Sequence, residues 1–84
     1  MRFCLITFRS VTPAQRAESL LRRSGLGCTI QRTPRWMEEQ GCGYSLRVKQ
    51  KDAASCVAQL RRNQIPFRKV YVYAEDGSVE EMEV

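Results

Sequence analysis

The sequence predicts an α+β fold, in which one face of a β-sheet is covered by helices. Strand-like stretches flank helix-like stretches twice along the 84 residues. A weak internal repeat agrees with this duplication, because LRRSGL at residues 21–26 resembles LRRNQI at residues 60–65. Both segments lie where a predicted helix leads into a predicted strand.

The first unit is a strand followed by a capped helix and a second strand. The run RFCLITFR at residues 2–9 is rich in strand formers. Thr12 is predicted as the helix N-cap, with Pro13 at the first helical position and Gly25 beyond the last turn. LGCTIQ at residues 26–31 predicts the second strand. The apolar stripe of the helix is predicted to be Ala14, Ala17, Leu20 and Leu21.

The second unit repeats this order. YSLRVK at residues 44–49 alternates apolar and polar residues, which is typical of a strand with one buried face. Asp52 can cap a second helix, Pro66 prevents its continuation, and FRKVYVYA at residues 67–74 predicts the last strand. This order folds most simply as a ferredoxin-like βαββαβ sandwich, a four-stranded antiparallel sheet with two helices on one face.

The charge of the chain is divided unevenly. The formal net charge is +5, but residues 75–84 hold five of the nine acidic residues and no base. Residues 1–74 therefore carry all 14 lysines and arginines. We predict a single domain over residues 1–74 and an acidic C-terminal tail over residues 75–84. The basic surface of the domain would attract nucleic acid or an acidic partner.

The cysteines are interpreted from the expected compartment. No apolar run approaches the roughly 20 residues that span a bilayer, and residues 1–8 are too short for a signal peptide. A cytoplasmic protein with no membrane association is therefore expected, and its thiols would be reduced. The sequence has no C-x-x-C pair and no histidine, so neither a metal site nor another cofactor is predicted. The four cysteines are Cys4, Cys28, Cys42 and Cys56.

Cys42 lies between Gly41 and Gly43, directly before the third predicted strand. Glycines leave the sulfur uncovered and allow backbone amides to form a small anion-binding nest. Arg35 belongs to the same connection between strands. Glycines are also ordinary turn residues, so an incidental cysteine is the competing interpretation.

The predicted topology suggests what surrounds Cys42. The first and third strands should be central and antiparallel, so the thiol is expected near Arg9, Ser10 and the helix N-terminus at Thr12. Arginines and a helix N-terminus favour a thiolate, which is the nucleophilic form of cysteine. The other three cysteines fall on strands or on an apolar helix stripe and are predicted to be small core residues.

The uncovered face of the predicted sheet suggests association. Phe3, Leu5 and Tyr71 would lie there, so a homodimer through the open sheet face is expected. Tyr71 and Tyr73 could also form a stacking platform for RNA, but the third strand has no aromatic RNP-like motif. Packing in the core or at an interface is therefore the preferred interpretation of both tyrosines.

The segments ITFRSVT, TPR and CGYSLRV resemble the small bacterial proteins classed as selenium/sulfur carrier-like, and the resemblance covers about residues 3–73. The loop WMEEQG is more acidic and bulkier than the pattern of that family. The positions that match the pattern are Thr33, Pro34, Arg35, Cys42, Gly43, Leu46 and Arg47.

The resemblance implies a sulfur/selenium carrier. Cys42 would hold the element as a persulfide or selenosulfide and pass it from a donor protein to an acceptor protein. A carrier needs an accessible thiolate but no general base, whereas a cysteine hydrolase would need a histidine that this chain lacks. An enzyme is therefore not expected. The alternative is a basic module that binds RNA or a small anionic ligand, with Cys42 incidental.

Overall fold

The computed structural model describes residues 2–33, 43–73 and 76–82. In these ranges the chain forms five strands and two α-helices, and a short 3-10 helix precedes the second α-helix. Their bounds are β1 (Phe3–Phe8), α1 (Val11–Arg23), β2 (Cys28–Arg32), β3 (Tyr44–Lys49), α2 (Ala53–Arg62), β4 (Val70–Tyr73) and β5 (Val79–Met82), with the 3-10 helix at Gln50–Asp52.

The strands form one antiparallel sheet in the order β2-β3-β1-β4-β5. β1 pairs with β3 on one side and with β4 on the other, so that Ile6 lies opposite Leu46 and also opposite Val70. The prediction that the first and third strands lie side by side and antiparallel is therefore confirmed. The end of β1 and the beginning of β3 consequently meet at the same end of the sheet.

The predicted count of four strands was wrong, since the described residues contain a fifth strand within the acidic segment 75–84. β5 pairs with β4 and places Met82 opposite Val70. The carboxylate of Asp76 accepts a hydrogen bond from the backbone N–H of Ser78 at 2.9 Å, and Gly77 has φ +87°. Asp-Gly is a hairpin signal, and the prediction of an acidic tail did not take it into account. The domain boundary at residue 74 stays a prediction.

The core lies between the sheet and both helices. β1 contributes Cys4, Ile6 and Phe8, which are successive residues on one face of the strand. Buried residues of α1 and α2 join these three in one cluster, so both helices cover the same face of the sheet. The predicted apolar stripe of α1 is confirmed, since three of its members are buried and the fourth packs partly buried against them.

The first helix begins earlier than predicted. α1 begins at Val11, so its N-cap is Ser10 and not Thr12. Ser10 has an extended backbone, and its side chain makes no capping hydrogen bond. Pro13 is then the third helical residue, which is tolerated because first-turn N–H groups have no partner inside a helix. Ser and Thr are similar N-cap residues, so spacing alone did not distinguish the two starts.

The end of α1 forms a Schellman motif. The N–H of Leu26 donates to the carbonyl of Leu21 at 2.9 Å, and the N–H of Gly25 donates to the carbonyl of Arg22 at 3.1 Å. Gly25 adopts φ +82°, the left-handed conformation that this motif requires. Gly25 was predicted to lie just beyond the helix, and the geometry confirms this.

The end of α2 forms the same motif, which explains the internal repeat. The N–H of Ile65 donates to the carbonyl of Leu60 at 2.9 Å, and the N–H of Gln64 donates to the carbonyl of Arg61 at 3.2 Å. Gln64 occupies the position that Gly25 has in the first copy, with φ +57°. A residue with a Cβ is strained in this conformation.

Replacing Gln64 with glycine is therefore expected to stabilise the protein. Relief of the left-handed strain should raise the free energy of unfolding by about 0.5–1 kcal/mol, after the larger entropy loss of glycine is subtracted. Urea denaturation followed by circular dichroism measures the change. Gly25→Gln is the matched control and should lower stability by a similar amount. A Gln64→Gly variant less stable than the wild type would contradict the explanation.

Candidate functional site

The predicted site residues divide into two groups. Three of them lie outside the described residues: Arg35, Gly41 and Cys42. The other four are described and lie where β1 ends, α1 begins and β3 begins: Arg9, Ser10, Thr12 and Gly43.

Gly43 is held closely between β1 and the residue that follows β2. A Cβ atom on Gly43 would lie 3.3 Å from the carbonyl oxygen of Phe8 and 3.4 Å from Oγ1 of Thr33. The N–H of Thr33 donates to the carbonyl of Gly43 at 3.0 Å. Close packing of three chain segments thus favours glycine here. Gly43 was predicted instead for its backbone freedom, either in an anion-binding nest or in an ordinary turn.

Two buried hydroxyl groups near this end of the sheet were not predicted as features of the site. Thr33 is only 6% exposed and Ser45 is fully buried. Within the described residues, neither hydroxyl oxygen has a hydrogen-bond partner. Buried polar atoms without partners are rare in folded proteins. Ser45 was predicted to lie on the polar face of its strand. The alternating pattern contained no signal that Ser45 would be buried on that face.

A groove with a volume of about 560 Å³ runs beside the start of α1. Three of the predicted site residues line it, together with two further arginines and an aromatic ring: Arg9, Ser10, Thr12, Arg16, Phe67 and Arg68. The first turn of α1 contains no acidic residue. The described residues of this groove therefore favour anions, while the surroundings of Cys42 itself stay a prediction.

The other three cysteines are core residues, as predicted. Cys4, Cys28 and Cys56 are buried and free of disulfide bonds. Burial raises the pKa of all three thiols, and for Cys56 it raises the pKa to about 11. The charge of Glu18 raises the pKa of Cys28 further, while Arg22 partly opposes it. These thiols are therefore poor nucleophiles at neutral pH.

The sheet face opposite the helices is partly closed by its own side chains. The rings of Phe3 and Tyr73 stack with their centroids 4.6 Å apart, and the guanidinium of Arg47 lies 4.1 Å from the centroid of Phe3. Leu5, in the middle of this face, is only 1% exposed. Phe3, Tyr71 and Tyr73 remain partly exposed at its surface. Tyr73 thus packs within the chain, and burial raises the pKa of its hydroxyl.

Residues 2–33, 43–73 and 76–82 contain neither a metal-binding cluster nor a helix that could span a membrane. These residues contain no cluster of three or more histidine, cysteine or acidic side chains arranged to bind a metal ion. None of the helices in the same ranges has the length and apolar character needed to cross a membrane.

The structure is thus that of a small α+β protein with a basic groove beside the start of α1 and with buried cysteines in its core. The family described as "Putative Se/S carrier protein-like" matches residues 3–72, which is most of the chain. The chain belongs to this family, and the resemblance found in ITFRSVT and CGYSLRV is confirmed. No curated protein gives a significant match.

Proposed function

We propose that the protein is a sulfur or selenium carrier whose working atom is the sulfur of Cys42. The thiol accepts the element from a donor protein, holds it as a persulfide or selenosulfide, and delivers it to an acceptor protein. The protein then needs no cofactor and is not an enzyme. Membership of the Se/S carrier-like family supports this proposal.

The burial of the other three cysteines is the observation that carries the proposal. Cys4, Cys28 and Cys56 lie in the core with raised pKa values, so they are unsuited to sulfur exchange with a second protein. Cys42 is the remaining thiol in the sequence. It is bonded to Gly43, and consecutive Cα atoms are about 3.8 Å apart.

The surroundings of Gly43 also support a thiolate at this end of the sheet. Gly43 packs against the carbonyl of Phe8, which is bonded to Arg9. We propose that the positive charges of Arg9 and Arg35 stabilise the thiolate, and that Ser10, Thr12 and the backbone amides of Gly41 and Gly43 complete its surroundings. This role agrees with the positive field of the groove.

The exchange balances without an oxidant or a reductant. The Cys42 thiolate attacks the outer sulfur of a donor persulfide, a new S–S bond forms, and the donor's own S–S bond breaks. The donor leaves as a thiolate, and the transferred sulfur retains its proton. An acceptor thiolate then attacks the outer sulfur on Cys42 and releases the Cys42 thiolate. A selenosulfide would exchange in the same way.

Alkylation kinetics test the proposal. At pH 7, iodoacetamide is expected to modify Cys42 at least about a hundred times faster than Cys4, Cys28 or Cys56, because only thiolates react and burial excludes the reagent. Peptide-level mass spectrometry during the time course measures the four rates. Labelling in denaturant is the control and should make the rates similar. Equal rates in the native protein would exclude Cys42 as an activated thiol.

A second candidate function is favoured by the arginines of the groove. A basic module could bind RNA or a small anionic ligand, with Cys42 incidental. Filter binding of RNA over a series of salt concentrations separates this function from the carrier, since phosphate contacts make affinity fall steeply with salt. The absence of binding would end this candidate.

We also propose that the fold is ferredoxin-like and that the protein works in the cytoplasm. The strand order β2-β3-β1-β4, with both helices on one face, supports a ferredoxin-like sandwich extended by β5. Free thiols in the core fit a reducing cytoplasm. A homodimer through the sheet face that carries Phe3 and Tyr71 also remains part of the proposal.

A further inference from the structure

The groove beside α1 collects positive charge from three separate segments. Arg9 follows β1, Arg16 lies in α1, and Arg68 precedes β4, while none of the described residues lining the groove is acidic. Within the described part of the chain, neither Arg9 nor Arg16 forms a salt bridge. Tertiary folding therefore brings like charges together, and no acidic side chain of the described residues pairs with Arg9 or Arg16. A negatively charged occupant would relieve their repulsion.

The wall of the groove also has an apolar part. The ring of Phe67 is partly buried, and Pro13 and Pro66 also line the groove. A volume of about 560 Å³ accommodates a few side chains or a small molecule. Nucleic acids are bound along extended basic tracks that follow successive phosphates. One short groove with an apolar wall fits a peptide segment with acidic and apolar side chains better.

We propose that this groove, here named the arginine groove, docks an acidic segment of the protein that exchanges sulfur with Cys42. This inference rests on the proposed function and names the chemistry of the partner. Arg9 connects the two regions, because it lines the groove and is bonded to Phe8, whose carbonyl contacts Gly43. A partner segment bound in the arginine groove would bring its sulfur to the end of the sheet that Gly43 occupies.

Peptide binding tests the groove without any sulfur chemistry. A fluorescent synthetic peptide of alternating glutamate and leucine is titrated against the Cys42→Ser variant, with fluorescence anisotropy as the readout. Adding Arg16→Glu is expected to raise the Kd about tenfold, because the change reverses a charge inside the groove. The control Lys51→Glu makes the same change in net charge at the opposite end of the sheet and should alter the Kd less than about twofold.

The rate at which a persulfide donor loads Cys42 tests the same charges, here in proteins that retain Cys42. Glutathione persulfide is an anionic donor, and the persulfide of a short peptide with one cysteine and several lysines is a cationic one. Arg16→Glu should slow loading of Cys42 from the anionic donor by roughly threefold and accelerate loading from the cationic donor, and both effects should fade at high salt. Arg16→Gln removes one charge instead of reversing it, so it should change the logarithm of each loading rate about half as much as Arg16→Glu does. Lys51→Glu should leave both rates nearly unchanged.

The outcomes separate the two proposals. If the peptide binds as expected but neither donor loads Cys42, the arginine groove stands and the carrier function fails. If Cys42 is loaded but Arg16→Glu and Lys51→Glu behave alike in both assays, the docking role of the groove is overturned. Tighter binding of a single-stranded oligonucleotide than of the peptide would assign the groove to nucleic acid instead. A salt-sensitive dimer that excludes the peptide would assign it to a second copy of the chain.

Discussion

Exposure to a persulfide donor is expected to add the mass of one sulfur atom to the wild-type protein and none to the Cys42→Ser variant. The expected loss is nearly complete, because an alcohol cannot form the S–S bond that holds the transferred sulfur. Intact-mass spectrometry measures the addition, and peptide mapping assigns it. A reducing thiol such as dithiothreitol should then remove the added sulfur as hydrogen sulfide and restore the original mass.

Cys56→Ala is the matched control for this experiment. It also removes one cysteine, but from the core, and the variant should still gain one sulfur atom at Cys42. An adduct that persists in Cys42→Ser, or one that is spread over all four cysteines, would contradict the carrier function. In that case the sequence GCG would be an ordinary turn.

A decrease in stability at alkaline pH is the second large effect. Burial raises the pKa of Cys56 from 9.0 to about 11 in the folded protein. Below pH 9 the thiol is protonated in both states, so its contribution to stability is complete. Between pH 9 and pH 11 the unfolded chain loses this proton while the folded protein keeps it, which favours unfolding. The free energy of unfolding should fall by about 2 kcal/mol between pH 9 and pH 11 from Cys56 alone.

Urea denaturation at a series of pH values measures this dependence. Cys4 and Cys28 also have raised pKa values and should add to the decrease. Cys56→Ala isolates one thiol, because the variant should be less stable near neutral pH but should lose less stability between pH 9 and pH 11. If stability falls with pH equally in the wild type and in Cys56→Ala, the pKa of this thiol does not differ between the folded and unfolded states. The same measurement therefore tests the burial that excludes Cys56 from sulfur exchange.

Several features were predictable because they depend on neighbours along the chain. The alternation of Tyr44, Leu46 and Val48 determines which face of β3 is buried against the helices. The repeat that ends at Leu26 and Ile65 marks two helix ends, since a Schellman motif uses six consecutive residues. The family could also be inferred, because its pattern consists of short segments such as CGYSLRV.

Other features depended on the packing of segments that are distant in sequence. β5 forms because β4 offers an open edge, although the acidic composition of the segment indicated a tail. The hydroxyl of Thr33 is buried because β2 leads it against Gly43. Apart from the Asp-Gly turn before β5, a single sequence contains no signal for either contact.

The amino-acid sequence by itself determined the α+β class, the order of the first six main elements, the apolar faces and the identity of the thiol to be tested. Each of these follows from local spacing or from residue chemistry. Only the tertiary structure decided why close packing favours glycine at position 43 and how Arg9, Arg16 and Arg68 share one groove. The physical reason is that steric contact and electrostatic repulsion act through space, and the distances that govern them are set when the sheet and helices pack together.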